Sequence, residues 1–315
     1  FISTLFELCT HNSSSITGGI IPIYNSNSYI ENTKFLVAEI DESDGTITKY
    51  KSDLGIINNI DFDHCDHFSN INEILSCFKD FASNSKKLLV NYDCEITKKN
   101  FISENCWSNE NTNKVNYSLI PTCIDKKHTI GNYYEDGNFI ETISIPIPGL
   151  HNLSNITASI AALRMMGVDF REIKKNIKFL ELPKKRFEFR GEINGRKIYD
   201  DYAHHPNEIK ATINLAKLFI NQENINLKEA KSRLVIIFQP HRFSRVKQFI
   251  NEFAEELSKA DVIYLTDIYG AGEKNEDKIS SENITQMIAK KNKNVKRLGN
   301  YYEITNNFYK LTKKG

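Results

Sequence analysis

Short apolar runs alternate with segments of helical period along most of this chain, and no other feature restricts its fold as much. Phe35–Ile40, Gly55–Ile60 and Lys87–Asn91 are short and dominated by apolar residues, as expected of strands in a buried parallel sheet. Between the last two, Ile71, Ile74, Leu75, Phe78 and Ala82 recur at the spacing of one helix face. A second series comes later. It has strands over Arg196–Tyr199, Leu234–Phe238 and Val262–Leu265. Between and after them lie a helix opened by Pro206, one marked by Val246, Phe249, Phe253 and Leu257, and one over 281–290. This rhythm predicts an α/β fold with mostly parallel sheets joined by βαβ crossovers.

Two stretches interrupt the rhythm. Residues 92–145 are polar, rich in Tyr, Asn and Thr, and carry turn signals such as Asp136-Gly137-Asn138, so a short-stranded β excursion is expected. After Pro148-Gly149, a helix is expected with Leu153, Ile156, Ile160 and Leu163 on one face, stopped by Gly167, and a second over 169–180. Leu182-Pro183-Lys184-Lys185 then reads as a linker. A chain of 315 residues is long for one core. Two domains, 1–185 and 186–315, are expected.

Composition narrows the function. The charge is nearly balanced, 41 Lys+Arg against 40 Asp+Glu, so no global field favours nucleic acid or an anionic membrane. The mean hydropathy of −0.44 is low, yet no segment is of low complexity. Six cysteines are scattered without C-x-x-C spacing, as in a reducing cytoplasm. No run approaches the roughly 18–20 apolar residues that cross a bilayer. The sequence lacks an initiator Met, opens in a helix-like pattern and ends without a closing strand, so trimming at both ends is expected.

In open α/β sheets, ligands bind beyond the carboxyl ends of strands, so polar clusters there matter most. Glu39-Ile40-Asp41-Glu42-Ser43-Asp44 follows one strand, and Asp61-Phe62-Asp63-His64-Cys65-Asp66-His67 follows the next, so the two acidic clusters are expected to end neighbouring strands. Crowded carboxylates repel unless a cation or solvent relieves them. Glu39, placed inside an apolar run, argues for a cation, because an unpaired charge there is costly. Oxygen ligands with one imidazole suit Mg²⁺ or Mn²⁺. The alternative is a solvated acidic turn and surface histidines. Asn152 and Asn155, three apart at a helix start, can turn both amides to one ligand or simply cap the helix. Arg242 and Arg245 at another helix start can form a carboxylate or phosphate clamp, or a solvated basic turn. No G-x-x-x-x-G-K-[ST] phosphate loop occurs in these residues.

Taken in order, AEIDESD (38–44), NNIDFDHCD (58–66), GLHNLSN (149–155), KKRFEFRGE (184–192), DDYAHHPNEI (200–209), FQPHRFSR (238–245) and DIYGAGE (267–273) resemble the Mur ligase family, in its alanine-adding branch. The resemblance spans nearly the whole chain. It implies an ATPase-type central domain followed by a Rossmann-like C-terminal one. The family's N-terminal UDP-binding domain and its Gly-Lys-Thr loop would precede the present first residue. By position, Glu39 and His64 match metal ligands, with Asn152 and Asn155 near the nucleotide. Arg186 matches an arginine on the γ-phosphate, and Asp201 an aspartate brought to the nucleotide. His204, Arg242 and Arg245 match residues handling the amino-acid carboxylate; Arg186, Asp201 and His204 would be catalytic. The polar Cys9-Thr10-His11-Asn12 departs from the pattern expected where the first helix ends.

The resemblance implies a cytoplasmic enzyme that uses ATP and Mg²⁺ to join L-alanine to the lactoyl carboxylate of UDP-N-acetylmuramate through an acyl phosphate, in peptidoglycan precursor synthesis. It would act as a monomer or weak homodimer. Three rivals stay open. One is the sister ligase that recycles murein peptides, against which Gln239-Pro240-His241-Arg242 weighs. Another is a dinuclear metallohydrolase built on Asp63–His67, which would leave residues 200–245 unexplained. The third is an inactive binding fragment.

Overall fold

The computed structural model describes residues 1–64, 67–101, 105–224, 232–299 and 301–311; Cys65 and Asp66 of the second acidic cluster lie outside them. The chain divides into two compact units, 1–201 and 202–315.

In the first unit, helix α1 (Ile2–Leu8) leads into strands β1 (Ser14–Ile21), β2 (Ser26–Tyr29) and β3 (Leu36–Ala38). These form a small sheet in which β1 pairs antiparallel with β2 and parallel with β3. There follow β4 (Ser52–Ile57), α2 (Ile71–Ser83), β5 (Ser85–Asn91), α3 (Glu95–Asn100), β6 (Cys106–Ser108), β7 (Tyr117–Ile124), β8 (Thr129–Glu135) and β9 (Asn138–Ile145). The six strands β4 to β9 lie side by side in chain order, parallel from β4 to β7 and antiparallel from β7 to β9. Helices α4 (Leu150–Met165) and α5 (Phe170–Asn176) and the antiparallel hairpin β10 (Glu188–Ile193) and β11 (Arg196–Asp200) complete the unit.

Successive residues of β5 show how the large sheet is covered. Strand side chains alternate between faces. Leu89 packs with Trp107 and the small residues Ala158, Ala161 and Ala162 of α4. Its neighbour Val90 packs with Ile74, Phe78 and Phe81 of α2. The small α4 side chains leave room for Trp107, which is fully buried and donates Nε1–H to Ser154 Oγ at 3.2 Å. Beyond the parallel strands, Leu119, Tyr133, Ile143 and Ile145 form a core with α1, α4 and α5. α4 is therefore buried along most of its length, and not along a single face as its spacing suggested. Asn70 caps α2 by accepting from the Asn72 amide at 2.9 Å, which starts that helix after the acidic turn.

The second unit consists of α6 (Pro206–Asn224), β12 (Val235–Phe238), α7 (Phe243–Leu257), β13 (Val262–Leu265), α8 (Ser281–Ala289), β14 (Val295–Arg297) and α9 (Tyr301–Leu311). Among the described residues, its strands are parallel in the order β12-β13-β14. The expected α/β class with parallel-rich sheets is what the chain adopts.

Two expectations are corrected. The strands before the acidic clusters were read as neighbours, but β3 pairs with β1 and β4 with β5, in different sheets. Glycine-rich β1 has no apolar run to betray it in sequence, so its pairing with β3 went unread. Glu39 was read as lying inside a buried strand. β3 ends at Ala38, Leu36 is 61% exposed, and Glu39 is itself exposed, so the cost of a buried charge does not apply to it.

Candidate functional site

In the first unit, Glu39 leaves β3 and its Oε2 accepts from the Gly18 amide of β1 at 2.9 Å, which ties it to the small sheet. Asp41 and Asp44 spend acceptors on local turns, bonding Ser43 and Thr46. The carboxylate that meets His64 is Glu42, with Oε1 3.7 Å from Nε2. Burial pushes the Glu42 carboxyl above its ordinary value; nearby Asp41 and Asp63 add to this and His64 opposes it. His64 itself sits at φ +52°, which costs a non-glycine residue about 1 kcal/mol or more. Three hydrogen bonds hold it there. Its amide donates to Asp63 Oδ1 at 2.8 Å, and its carbonyl accepts from His67 and Phe68 at 2.8 and 2.9 Å.

Among the described residues, no group of three His, Cys, Asp or Glu converges as a complete metal cage. Mg²⁺ needs none, because it takes one or two carboxylates and completes its shell with water and phosphate. The donors at Glu39, Glu42 and His64 fit that chemistry, and not a buried zinc site.

Helix α4 starts at Gly149, whose φ of +100° is the conformation only glycine adopts cheaply. Neither asparagine caps it. Asn152 is buried and donates Nδ2–H to the Pro148 carbonyl at 2.8 Å, while Asn155 is exposed one turn later. His151, the residue before Asn152, lies within electrostatic reach of Asp201 and Arg186. The surrounding protein lowers its pKa even though the ring can be reached by solvent; Arg186 adds to this and Asp201 opposes it.

Arg186 is exposed on a turn whose flanking residues, Lys185 and Phe187, both have positive φ, +61° and +48°. The turn is fastened on each side. The Lys185 amide donates to Glu188 Oε2 at 2.9 Å, and the Phe187 amide to Asp201 Oδ2 at 2.8 Å. The Phe187 ring stacks on Tyr199 with centroids 4.5 Å apart. The first unit thus brings His151, Arg186 and Asp201 together.

In the second unit, the strand-to-helix turns before α6 and α7 gather the remaining residues. His204 Nδ1 lies 3.0 Å from the Tyr202 carbonyl and 3.4 Å from Glu208, whose Oε2 also accepts from the His204 amide at 2.9 Å. The His204 and His241 rings are 6.0 Å apart. His241 Nδ1 lies 3.3 Å from Nη1 of Arg245, which is only 3% exposed. Burial lowers the His241 pKa, and Arg245, His204 and Arg242 lower it further. Arg242, at φ +68°, stands at the start of α7 with its guanidinium 3.8 Å from Glu273. Glu273 also accepts from the Ser244 amide and hydroxyl, at 3.0 and 2.6 Å, and so braces the helix N-terminus. A carboxylate arriving here would meet guanidinium donors at the positive end of a helix.

Comparison with known proteins gives this chemistry its family. The Mur ligase middle domain matches residues 22–163, and the Mur ligase glutamate ligase domain matches 185–315. The chain belongs to the Mur ligase family. A curated Mur ligase of Prochlorococcus marinus subsp. pastoris, named UDP-N-acetylmuramate–L-alanine ligase, is 69% identical over all of this chain and 66% of its own length. A ligase of the same name from Synechococcus is 41% identical over 91% of the chain and 59% of its own length. The chain therefore spans about three-fifths to two-thirds of such relatives. Among solved structures, the UDP-N-acetylmuramate-alanine ligase MurC of Thermotoga maritima covers 97% of the chain, which in turn spans 64% of it, at TM-score 0.77 and 21% identity. A murein peptide ligase of Psychrobacter arcticus covers 100%, the chain spanning 70% of it, at TM-score 0.64 and 19% identity. These last two establish the shared Mur ligase fold.

Five neighbours of the site were not singled out in the sequence. Glu208 was readable, since it stands four residues after His204 at a helix start. Glu42, His151 and His241 lay inside quoted motifs without a distinguishing signal. Glu273 meets Ser244 across 29 residues, which no local pattern encodes.

Proposed function

We propose that the protein carrying this chain joins L-alanine to the lactoyl carboxylate of UDP-N-acetylmuramate at the expense of ATP, through an acyl phosphate. The 69% identity with a relative of that name, over the whole chain, carries the reading. The site residues supply a matching chemistry. Arg186 would stabilise charge on the transferring phosphoryl group, on a turn that Asp201 holds. Asn152, Asn155 and His151 would flank the nucleotide. Arg242 and Arg245 would receive the amino-acid carboxylate at the α7 N-terminus. Glu39 and His64 would hold Mg²⁺, which when bound offsets phosphate charge and draws the attacking carboxylate inward.

Residues 1–185 would form the ATP-binding domain and 186–315 the amino-acid-binding one. No helix among the described residues is long and apolar enough to cross a membrane. The proposed activity belongs in the cytoplasm, and the protein would act there as a monomer or weak homodimer. It would act in peptidoglycan precursor synthesis on small molecules, without nucleic acid. Phosphate release by the intact enzyme tests the reading. It should require ATP, UDP-N-acetylmuramate and L-alanine together, and undiminished release without the nucleotide sugar would refute it.

A further inference from the structure

Helix α4 bears Asn152 and Asn155, and it meets the large sheet through the small residues Ala158, Ala161 and Ala162. Small side chains allow close packing, but they raise no ridges that would lock the helix against rotation about its axis. Polar anchors from β6 and the turn after it supply the lock. Trp107 donates Nε1–H to Ser154 Oγ at 3.2 Å, and Asn109 donates Nδ2–H to Thr157 Oγ1 at 2.9 Å. Ser154 and Thr157 are neighbours on one face of the helix, at the i, i+3 spacing.

Asn109 is itself fixed. A carbonyl oxygen can only accept, so the Asn109 amide nitrogen faces the Leu119 carbonyl at 2.8 Å and gives its other N–H to Thr157. Thr157 has already given its hydroxyl proton to the Leu153 carbonyl at 2.7 Å, one turn back, which leaves a lone pair for Asn109. The main-chain amide of Asn109 donates to Asp93 Oδ2 at 2.6 Å. The Ser108 hydroxyl donates to Asp93 Oδ1 and accepts from the Glu110 and Asn111 amides at 2.9 and 2.8 Å. Asp93 follows β5, so a carboxylate at one strand end orients the end of the next strand, which in turn orients α4. Bonds to a carboxylate are strong, and the burial of Ser108 and Thr157 keeps water from competing for them.

We propose that Asp93 and Asn109 are positioning residues for the nucleotide base, acting through Thr157 on the direction of Asn155. The proposal rests on the reading that Asn155 faces the nucleotide. At about 100° per residue, Asn155 stands about 100° around the helix from Ser154 and about 160° from Thr157. It therefore looks away from the anchors, and it is exposed. Its side-chain amide lies roughly 6 Å from the helix axis, so a rotation of about 10° moves it by about 1 Å. That displacement takes a hydrogen bond to the base out of range. The phosphates do not depend on the direction of Asn155, so the loss falls on nucleotide affinity and not on the chemical step.

Steady-state kinetics of the intact enzyme, in two backgrounds, separate this role from a structural one. Thr157→Val keeps the shape of the side chain and removes the acceptor, while Asn109→Ala and Asp93→Ala remove the groups behind it. Each should raise KM for ATP by roughly 10-fold, the contribution of one hydrogen bond to the base. The kcat and the KM values for L-alanine and UDP-N-acetylmuramate should change little. Asn155→Ala should raise KM for ATP by a similar factor, and adding Thr157→Val to it should raise KM no further, because the group being directed is gone. An unchanged KM for ATP in Thr157→Val and Asn109→Ala would overturn the proposal. So would the same further rise in the Asn155→Ala background, or a loss confined to kcat. An unchanged KM for ATP in Asn155→Ala alone would instead overturn the nucleotide reading on which the proposal rests.

Discussion

The backbone amide of Phe187 donates to the Asp201 carboxylate at 2.8 Å, and this bond closes the open end of the β10–β11 hairpin beneath Arg186. The same carboxylate lies within electrostatic reach of His151. Asp201 is thus a positioning residue as well as a charge. Asp201→Ala frees a turn that carries two left-handed residues, and Arg186 loses its fixed direction. A misplacement of about 1 Å costs roughly 10²-fold in rate. We expect kcat to fall by about that factor, and Asp201→Asn, which keeps an acceptor oxygen, to fall less. Equal loss in the two variants would assign the effect to charge alone.

Glu39→Ala and His64→Ala should each raise the Mg²⁺ concentration needed for half-maximal phosphate release. The rate at saturating Mg²⁺ should still drop by about 10²–10³, the cost of one lost charge contact. Mg²⁺ titration of each variant checks this. An unchanged titration in both would remove the metal from these residues.

His241 gives a pH prediction with a definite sign. Its folded pKa is lowered by burial and then by Arg245, His204 and Arg242. The unfolded ring, near the ordinary value of about 6.5, takes up a proton before the folded ring does. The contribution of this residue is therefore full above that value and is lost as pH falls from it to the lowered folded value. Urea midpoints at pH 7.5 and 5.5 should drop more for the native protein than for His241→Gln. The same drop in both would exclude His241 as a source.

Trp107→Ala should destabilise the first unit by about 3–5 kcal/mol, since it empties a fully buried site between β6 and α4. Trp107→Phe retains most of the packing and loses the bond to Ser154, at a cost of about 1–3 kcal/mol for the hydroxyl left behind. Urea unfolding followed by circular dichroism measures both. A loss below about 1 kcal/mol for the alanine variant would contradict this account of the core.

The regular elements were legible where packing leaves a period. α2, β5, β12, α7 and β13 show their apolar spacing directly, and each forms close to its expected place. β1 was not legible, because Ser14-Ser15-Ile16-Thr17-Gly18-Gly19 carries no strand pattern and is fixed by pairing with β2 and β3. The site was legible as motifs at strand ends, but its internal pairing was not. Sequence named Glu39 and His64 as metal ligands without a neighbour for the imidazole, and the turn geometry places Glu42 beside it. The bracing of Arg242 and Ser244 by Glu273 depends on a contact between distant segments.

Competition between amino donors tests the central claim most directly. The intact enzyme, given ATP, Mg²⁺ and UDP-N-acetylmuramate with equal L-alanine and a murein tripeptide, should release phosphate and form the alanine conjugate, identified by mass. Preferential coupling of the tripeptide would contradict the account and move the protein to the recycling branch of its family.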